Sequence, residues 1–317
     1  MKNKPLLVVI TLLVILSIVA ACNKKTTPTP ALIEEAAEEP SAPVQTEEPA
    51  AVAEAPQQST NEDANALPPE PQPVSIPSTD GVMLEGTYYP AAVENAPLVV
   101  FMHWVGGDKA DWYELAVWLQ NRGQANPFTN PADMPWWDPS WFPSVPADRS
   151  YAVLIFSFRD CQPYTEGCQT MDQAGWLEDA VAAMRFAREI EGIDPERITA
   201  IGSSIGADGA ADACEMVNEE FPGTCQGSLS LSPGDFLEVS YSDVVAKMGK
   251  LNPPVAAWCL ADESEYGVCE AAKAAANPAV YKAFLIPDGS HGNMLLRPDL
   301  DPLPMQLILD FLEETLN

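Results

Sequence analysis

A serine hydroxyl becomes a nucleophile only when a base can take its proton and a preset group can meet the charge that follows. Residues 198–214, ITAIGSSIGADGAADAC, contain a serine that could be one. An apolar run leads into Gly202-x-Ser204-x-Gly206, Ser203 fills the variable position, and a small-residue stretch follows. Strand, G-x-S-x-G and helix in that order form a sharp elbow. The elbow lifts the central hydroxyl above the sheet edge, and its glycines let neighbouring backbone pass closely. At average Gly usage, and similar Ser usage, the bare pattern occurs in roughly one chain of this length in ten. Its position between strand and helix carries more weight than the match itself.

The chain has two histidines, His103 and His291. His291 lies in IPDGSHGNM, past the last apolar run, whereas His103 ends the first such run, ahead of the serine. The elbow motif goes with a chain order of serine, acid, histidine, which makes His291 the base. The acid should follow the next-to-last strand, PVAAWCL, in the turn ADESEY. Three carboxylates stand there. By distance from the strand start Glu263 ranks first, Asp262 second and Glu265 third. The chosen one would hold the imidazole tautomer and stabilise the imidazolium.

These residues need a frame to hold them. The short apolar runs APLVVFMHW, YAVLIFSF, RITAIG, GSLSLSP, PVAAWCL and AVYKAFLIP read as buried strands. KADWYELAVWLQNRG, WLEDAVAAMRFAREI, ADGAADACEMVNEE and PMQLILDFLEETL read as helices between or after them. Fully apolar strands alternating with helices predict an α/β domain over 74–317, a mostly parallel central sheet with helices on both faces.

With serine, histidine and strand order in place, this region resembles the α/β-hydrolase superfamily, and within it dienelactone-hydrolase-like enzymes and esterase lipoproteins. HWVGGDKADW is similar to the HG-x-G-G…D-W segment after the third strand of those proteins, GSSIGA to their elbow, and DGSHG to their histidine loop. The resemblance implies an oxyanion hole made by the backbone N–H of Ile205 and one from Val105 or Trp104. It also implies that His103 shapes the oxyanion loop and is not the base. Two positions depart from the pattern. Dienelactone hydrolases proper carry cysteine where this chain has Ser204, and the second residue of the usual HG is Trp104.

The amino end reads differently. Lys2 and Lys4 precede an uncharged apolar run over 5–21 that ends in VAAC. A basic start, a short apolar core and small residues before a cut site form a secretory signal over 1–21. VAAC resembles the lipobox of bacterial lipoproteins, which implies lipid on Cys22. Residues 22–73, rich in Pro, Ala and Glu, cannot bury enough surface to fold and read as an extended tether. Setting Cys22 aside, the remaining six of seven cysteines form three close pairs, Cys161/Cys168, Cys214/Cys225 and Cys259/Cys269. Such pairs predict local disulfides in an oxidising compartment, the last of them stapling the acid turn. The net charge of −30 argues against nucleic acid as a partner. The insert at 127–146, with Trp136, Trp137, Trp141 and Phe142 among prolines, reads first as a rigid cap and second as an aromatic wall for substrate.

The expectation is a membrane-anchored, extracytoplasmic serine hydrolase acting on a small-molecule ester through an acyl-enzyme, with no cofactor and no metal. A peptidase or acyltransferase on the same triad, or a binding lipoprotein without catalysis, are the alternatives.

Overall fold

The computed structural model describes residues 68–129, 134–162 and 167–317. The signal segment, Cys22 and the tether through residue 67 lie outside the described residues. In chain order, the strands and helices begin with β1 (Gln72–Pro77), β2 (Met83–Tyr89), β3 (Ala96–Met102), α1 (Tyr113–Gln120) and β4 (Ala152–Phe156). A two-residue pair, β5 (Cys161–Gln162) and β6 (Gly167–Cys168), precedes α2 (Gln173–Ala187). Next come β7 (Ile193–Ser203), α3 (Ile205–Glu220), β8 (Cys225–Leu231), α4 (Tyr241–Met248) and β9 (Ala256–Ala261). The chain closes with α5 (Tyr266–Ala275), β10 (Tyr281–Leu285) and α6 (Pro304–Leu316).

The main sheet has the order β1-β2-β4-β3-β7-β8-β9-β10. From β4 to β10 every neighbouring pair is parallel, while β1–β2 and β2–β4 are antiparallel. The six parallel strands are those the apolar runs predicted. The antiparallel hairpin at the edge was not anticipated, and it begins at Gln72, two residues before the expected domain start.

Side chains alternate across the parallel strands and feed two separate cores. Leu98, Val100 and Met102 of β3 join Trp176, Ala180 and Tyr241 on the α2–α5 face. Val99 and Phe101 of the same strand join Trp112, Leu229, Trp258 and Phe311 on the face covered by α1 and α6. Each fully buried large side chain stabilises the fold by about 1.5–3 kcal/mol before ordering costs. Helices thus cover both faces, and the parallel strands end along one edge. The loops leaving that edge are where α/β proteins place their sites.

All three predicted disulfides are present. Cys214–Cys225 ties α3 to β8, Cys259–Cys269 ties β9 to α5, and Cys161–Cys168 closes the β5–β6 hairpin. The tryptophan-rich insert is pinned to the fold. Trp136 is buried, Trp137 Nε1 donates to Ala110 C=O (3.2 Å), and Trp141 Nε1 donates to Pro135 C=O (2.9 Å). Pro135 and Pro139 each open a short 3-10 turn, the position where a missing N–H costs nothing, and Asp138 caps the second turn through Ser140 N–H. These contacts fit the first of the two readings, a rigid cap.

Candidate active site

Ser204 stands between β7 and α3 with φ 55° and ψ −117°. A positive φ at a non-glycine residue costs on the order of 1–3 kcal/mol and persists only where surroundings fix it. Here Ser204 N–H donates to Leu231 C=O on the neighbouring strand (2.9 Å). The elbow glycines are required by contact. A Cβ on Gly202 would sit 1.8 Å from the Gly206 carbonyl oxygen, and one on Gly206 would sit 2.3 Å from the Met102 carbonyl oxygen. Ser203 is buried, and its Oγ has no hydrogen-bond partner among the described residues.

His291 Nε2 lies 2.8 Å from Ser204 Oγ, and His291 Nδ1 lies 2.6 Å from Glu265 Oε1. A carboxylate only accepts, so Nδ1 carries the proton and Nε2 is left to accept from the serine. The acid at the ring is therefore Glu265, the third-ranked candidate, and not Glu263 or Asp262. Asp262 is occupied with the turn itself: its Oδ1 accepts from Ser264 N–H (2.9 Å), Ser264 Oγ (2.7 Å) and Glu265 N–H (3.1 Å). Glu263 Oε1 faces Asp288 N–H at 3.4 Å. The Asp262-capped turn reverses the chain into α5, so the residue just before that helix reaches the ring. Distance from the strand does not measure this reversal.

Neighbouring loops fix the histidine. Gly292 N–H donates to Ser232 Oγ (2.9 Å), and the Phe236 ring stands edge-on to the imidazole, centroids 5.9 Å apart at 90°. Phe236 is held in turn by Asp208, whose carboxylate accepts from Gly234 N–H (2.9 Å) and Phe236 N–H (2.7 Å). Burial pushes the Asp208 carboxyl up to about 7, against the pull of these donors. None of Ser232, Phe236 and Asp208 was singled out from sequence.

The two oxyanion candidates lie in the elbow helix and in the loop after β3. Ile205 is the first residue of α3, where a backbone N–H has no partner within the helix. Val105 follows His103 and Trp104 in the loop after β3. His103 is fully buried, with Nδ1 2.7 Å from Trp104 C=O and Nε2 accepting from Phe158 N–H at 3.0 Å. Burial lowers its pKa to about 4, so it stays neutral and structural. The Trp104 indole donates to Asp111 Oδ2 (2.8 Å) and borders a small cavity of about 60 Å³ with Met134, Trp136 and Trp137. Cys161, Cys168 and His103 are the one cluster of metal-ligand types among the described residues. Its sulfurs are bonded to each other and both ring nitrogens are hydrogen-bonded.

No protein-family model matches the chain, and no curated protein matches it by sequence. Solved structures do. Dienelactone hydrolase from Anabaena variabilis ATCC 29413 aligns over 78% of this chain and 99% of its own, at 15% identity and a TM-score of 0.52. The α/β hydrolase GrgF from Penicillium sp. sh18 aligns over 79% and 99%, at 13% identity and a TM-score of 0.56. The carboxylesterase EstE1, cloned from a metagenomic library, aligns over 78% and 90%, at 15% identity and a TM-score of 0.51. Sheet order, elbow and these alignments agree: the chain has the α/β-hydrolase fold.

Proposed function

We propose that this protein is a serine hydrolase of small carboxylic esters. The observation that carries the reading is the continuous relay Ser204 Oγ, His291, Glu265, with contacts of 2.8 and 2.6 Å at a strained elbow. Ser204 attacks the ester carbonyl as His291 Nε2 takes its proton. Glu265 stabilises the imidazolium, which then protonates the leaving alcohol. The tetrahedral oxyanion is met by the N–H groups of Ile205 and Val105. Water activated by the same histidine releases the acid and restores Ser204. Two structural neighbours, a dienelactone hydrolase and a carboxylesterase, support an ester substrate.

The reading extends to the amino end: export, lipid on Cys22, and a tether holding the domain outside the cytoplasmic membrane. It is supported by the basic start, the VAAC sequence and the three disulfides. Cys22→Ser should release the protein from membranes or leave its signal uncut. Unchanged fractionation and mobility would end that part of the reading.

The catalytic part is tested with a fluorophosphonate probe and p-nitrophenyl esters of increasing chain length. Wild type should be labelled and should turn over short esters, and Ser204→Ala should do neither. A folded wild type that is neither labelled nor active would leave a binding protein on a hydrolase frame.

A further inference from the structure

The Cys161–Cys168 hairpin has strands of two residues each. A ladder that short cannot hold itself together in water, so the disulfide does the holding, and the hairpin's use lies in what it touches. Cys168 N–H donates to Val105 C=O at 2.8 Å. Gly167, at φ +55°, packs so closely that a Cβ there would lie 2.5 Å from the Val105 carbonyl oxygen and 3.0 Å from Gly106 Cα. On the other side of Val105, Trp104 C=O is held by His103 Nδ1 (2.7 Å) and Gly107 N–H (3.1 Å).

A peptide group is planar, and in the trans form its C=O and N–H point in opposite directions. Fixing Trp104 C=O therefore fixes Val105 N–H, and fixing Val105 C=O fixes Gly106 N–H. The two anchors are also joined to each other. His103 Nε2 accepts from Phe158 N–H (3.0 Å), and Phe158 C=O accepts from Cys161 N–H (3.2 Å). One ring nitrogen of His103 and the two sulfurs lie within 4.8 Å of one another. Two consecutive peptide planes of the oxyanion loop are thus held, one by His103 and Gly107 and the next by Cys168, and hydrogen bonds through Phe158 join His103 to the disulfide-closed hairpin.

We propose that the Cys161–Cys168 hairpin is a positioning element of the oxyanion loop: it holds the Val105 C=O directly and, through Phe158, braces His103, which with Gly107 sets the direction of the Val105 N–H toward the developing oxyanion. The proposal rests on the hydrolase reading above. It assigns this disulfide a role in turnover that Cys214–Cys225, which joins α3 to β8, does not have. Opening the hairpin leaves Ser204, His291 and Glu265 in contact but frees the loop that carries one oxyanion donor.

The test compares wild type, Cys161→Ser/Cys168→Ser, Gly167→Ala and Cys214→Ser/Cys225→Ser. The measurements are kcat and KM on p-nitrophenyl acetate, Ki for an alkyl trifluoromethyl ketone, and Tm. The ketone forms a hemiketal oxyanion with the serine, so its Ki reads the hole directly. Loss of a whole oxyanion donor costs about 10²–10³ in kcat, so a misaimed one should cost roughly ten- to a hundredfold. Cys161→Ser/Cys168→Ser should show that loss in kcat and a matching rise in Ki, with KM changed less than about threefold. Gly167→Ala keeps all three disulfides and should show the same pattern, which keeps the proposal testable if the double variant does not fold. Cys214→Ser/Cys225→Ser should lose Tm but keep kcat and Ki.

Wild-type kcat and Ki in folded Cys161→Ser/Cys168→Ser or in folded Gly167→Ala would overturn the proposal, as would a loss confined to KM. Failure of the hydrolase reading gives a different result: folded wild type would then be neither labelled nor active, or ester hydrolysis would survive in Ser204→Ala.

Discussion

Glu265 Oε1 and Ser204 Oγ contact the two different nitrogens of His291, at 2.6 and 2.8 Å. This relationship decides among three carboxylates in one turn. Glu265→Gln keeps the shape but removes the charge that stabilises an imidazolium, and should lower kcat by about 10²–10⁴ on p-nitrophenyl acetate. Glu263→Gln and Asp262→Asn should each stay within about fivefold of wild type, Asp262→Asn because an amide oxygen can still accept from Ser264 and Glu265. Steady-state kinetics on the three variants check this. A larger loss in Glu263→Gln than in Glu265→Gln would reverse the assignment.

Ser204 and His291 should behave as one unit. Members of such a relay are non-additive, because either deletion already disables the step they share. Ser204→Ala and His291→Ala should each cost several orders of magnitude in kcat, and the double variant should be little worse. Ser203→Ala should retain most activity, since Ser203 Oγ makes no hydrogen bond to the histidine or to any other described residue. Multiplying losses in the double variant would mean that the two side chains act independently.

The serine and histidine were legible because a local motif and chain order specify them. Glu265 was not, because three acids share the turn and only the Asp262-capped reversal into α5 decides which faces the ring. The six parallel strands were legible as short apolar runs, being buried on both faces. The β1–β2 hairpin was hidden for the opposite reason: β1 alternates between covered and exposed positions at the sheet edge and is not continuously apolar. Asp208 holding Phe236, and Cys168 holding Val105, are pairings across long stretches of chain. Spacing in one sequence does not encode such pairings.

The elbow tolerates no side chain at its glycines. With a carbonyl oxygen 1.8 Å from a Cβ at 202 and another 2.3 Å from one at 206, backbone must move to admit alanine. Overpacking of this kind costs about 1–3 kcal/mol or more. Gly202→Ala and Gly206→Ala should each lower Tm, by roughly 2–4 °C per kcal/mol for a domain this large. Each should also lower kcat more than tenfold, since the displaced backbone carries Ser204. Thermal unfolding alongside ester kinetics tests both, and a variant with unchanged Tm and kcat would contradict the contacts.

Asp212 gives a prediction about pH. It is buried on α3, and neither carboxylate oxygen has a hydrogen-bond partner among the described residues. Burial, followed by the negative Asp208 and Glu215 nearby, pushes its pKa up to about 8, with Lys247 pulling the other way. Tyr241 of α4 lies in the same field. An unfolded aspartate gives up its proton near pH 4, whereas this one keeps it in the folded chain until about pH 8. Between those values the folded state binds the extra proton, so stability is greatest at the acid end of the window and falls as pH rises through it. Asp208, raised to about 7, contributes a slope of the same sign. Asp212→Asn removes one titrating group and should flatten the fall without abolishing it. The Tm of the variant minus that of wild type should therefore grow between pH 5 and pH 9, by the equivalent of about 1 kcal/mol or more. Calorimetry across that range tests it. A difference that stays constant or shrinks with pH would mean that Asp212 is already ionised in the folded protein.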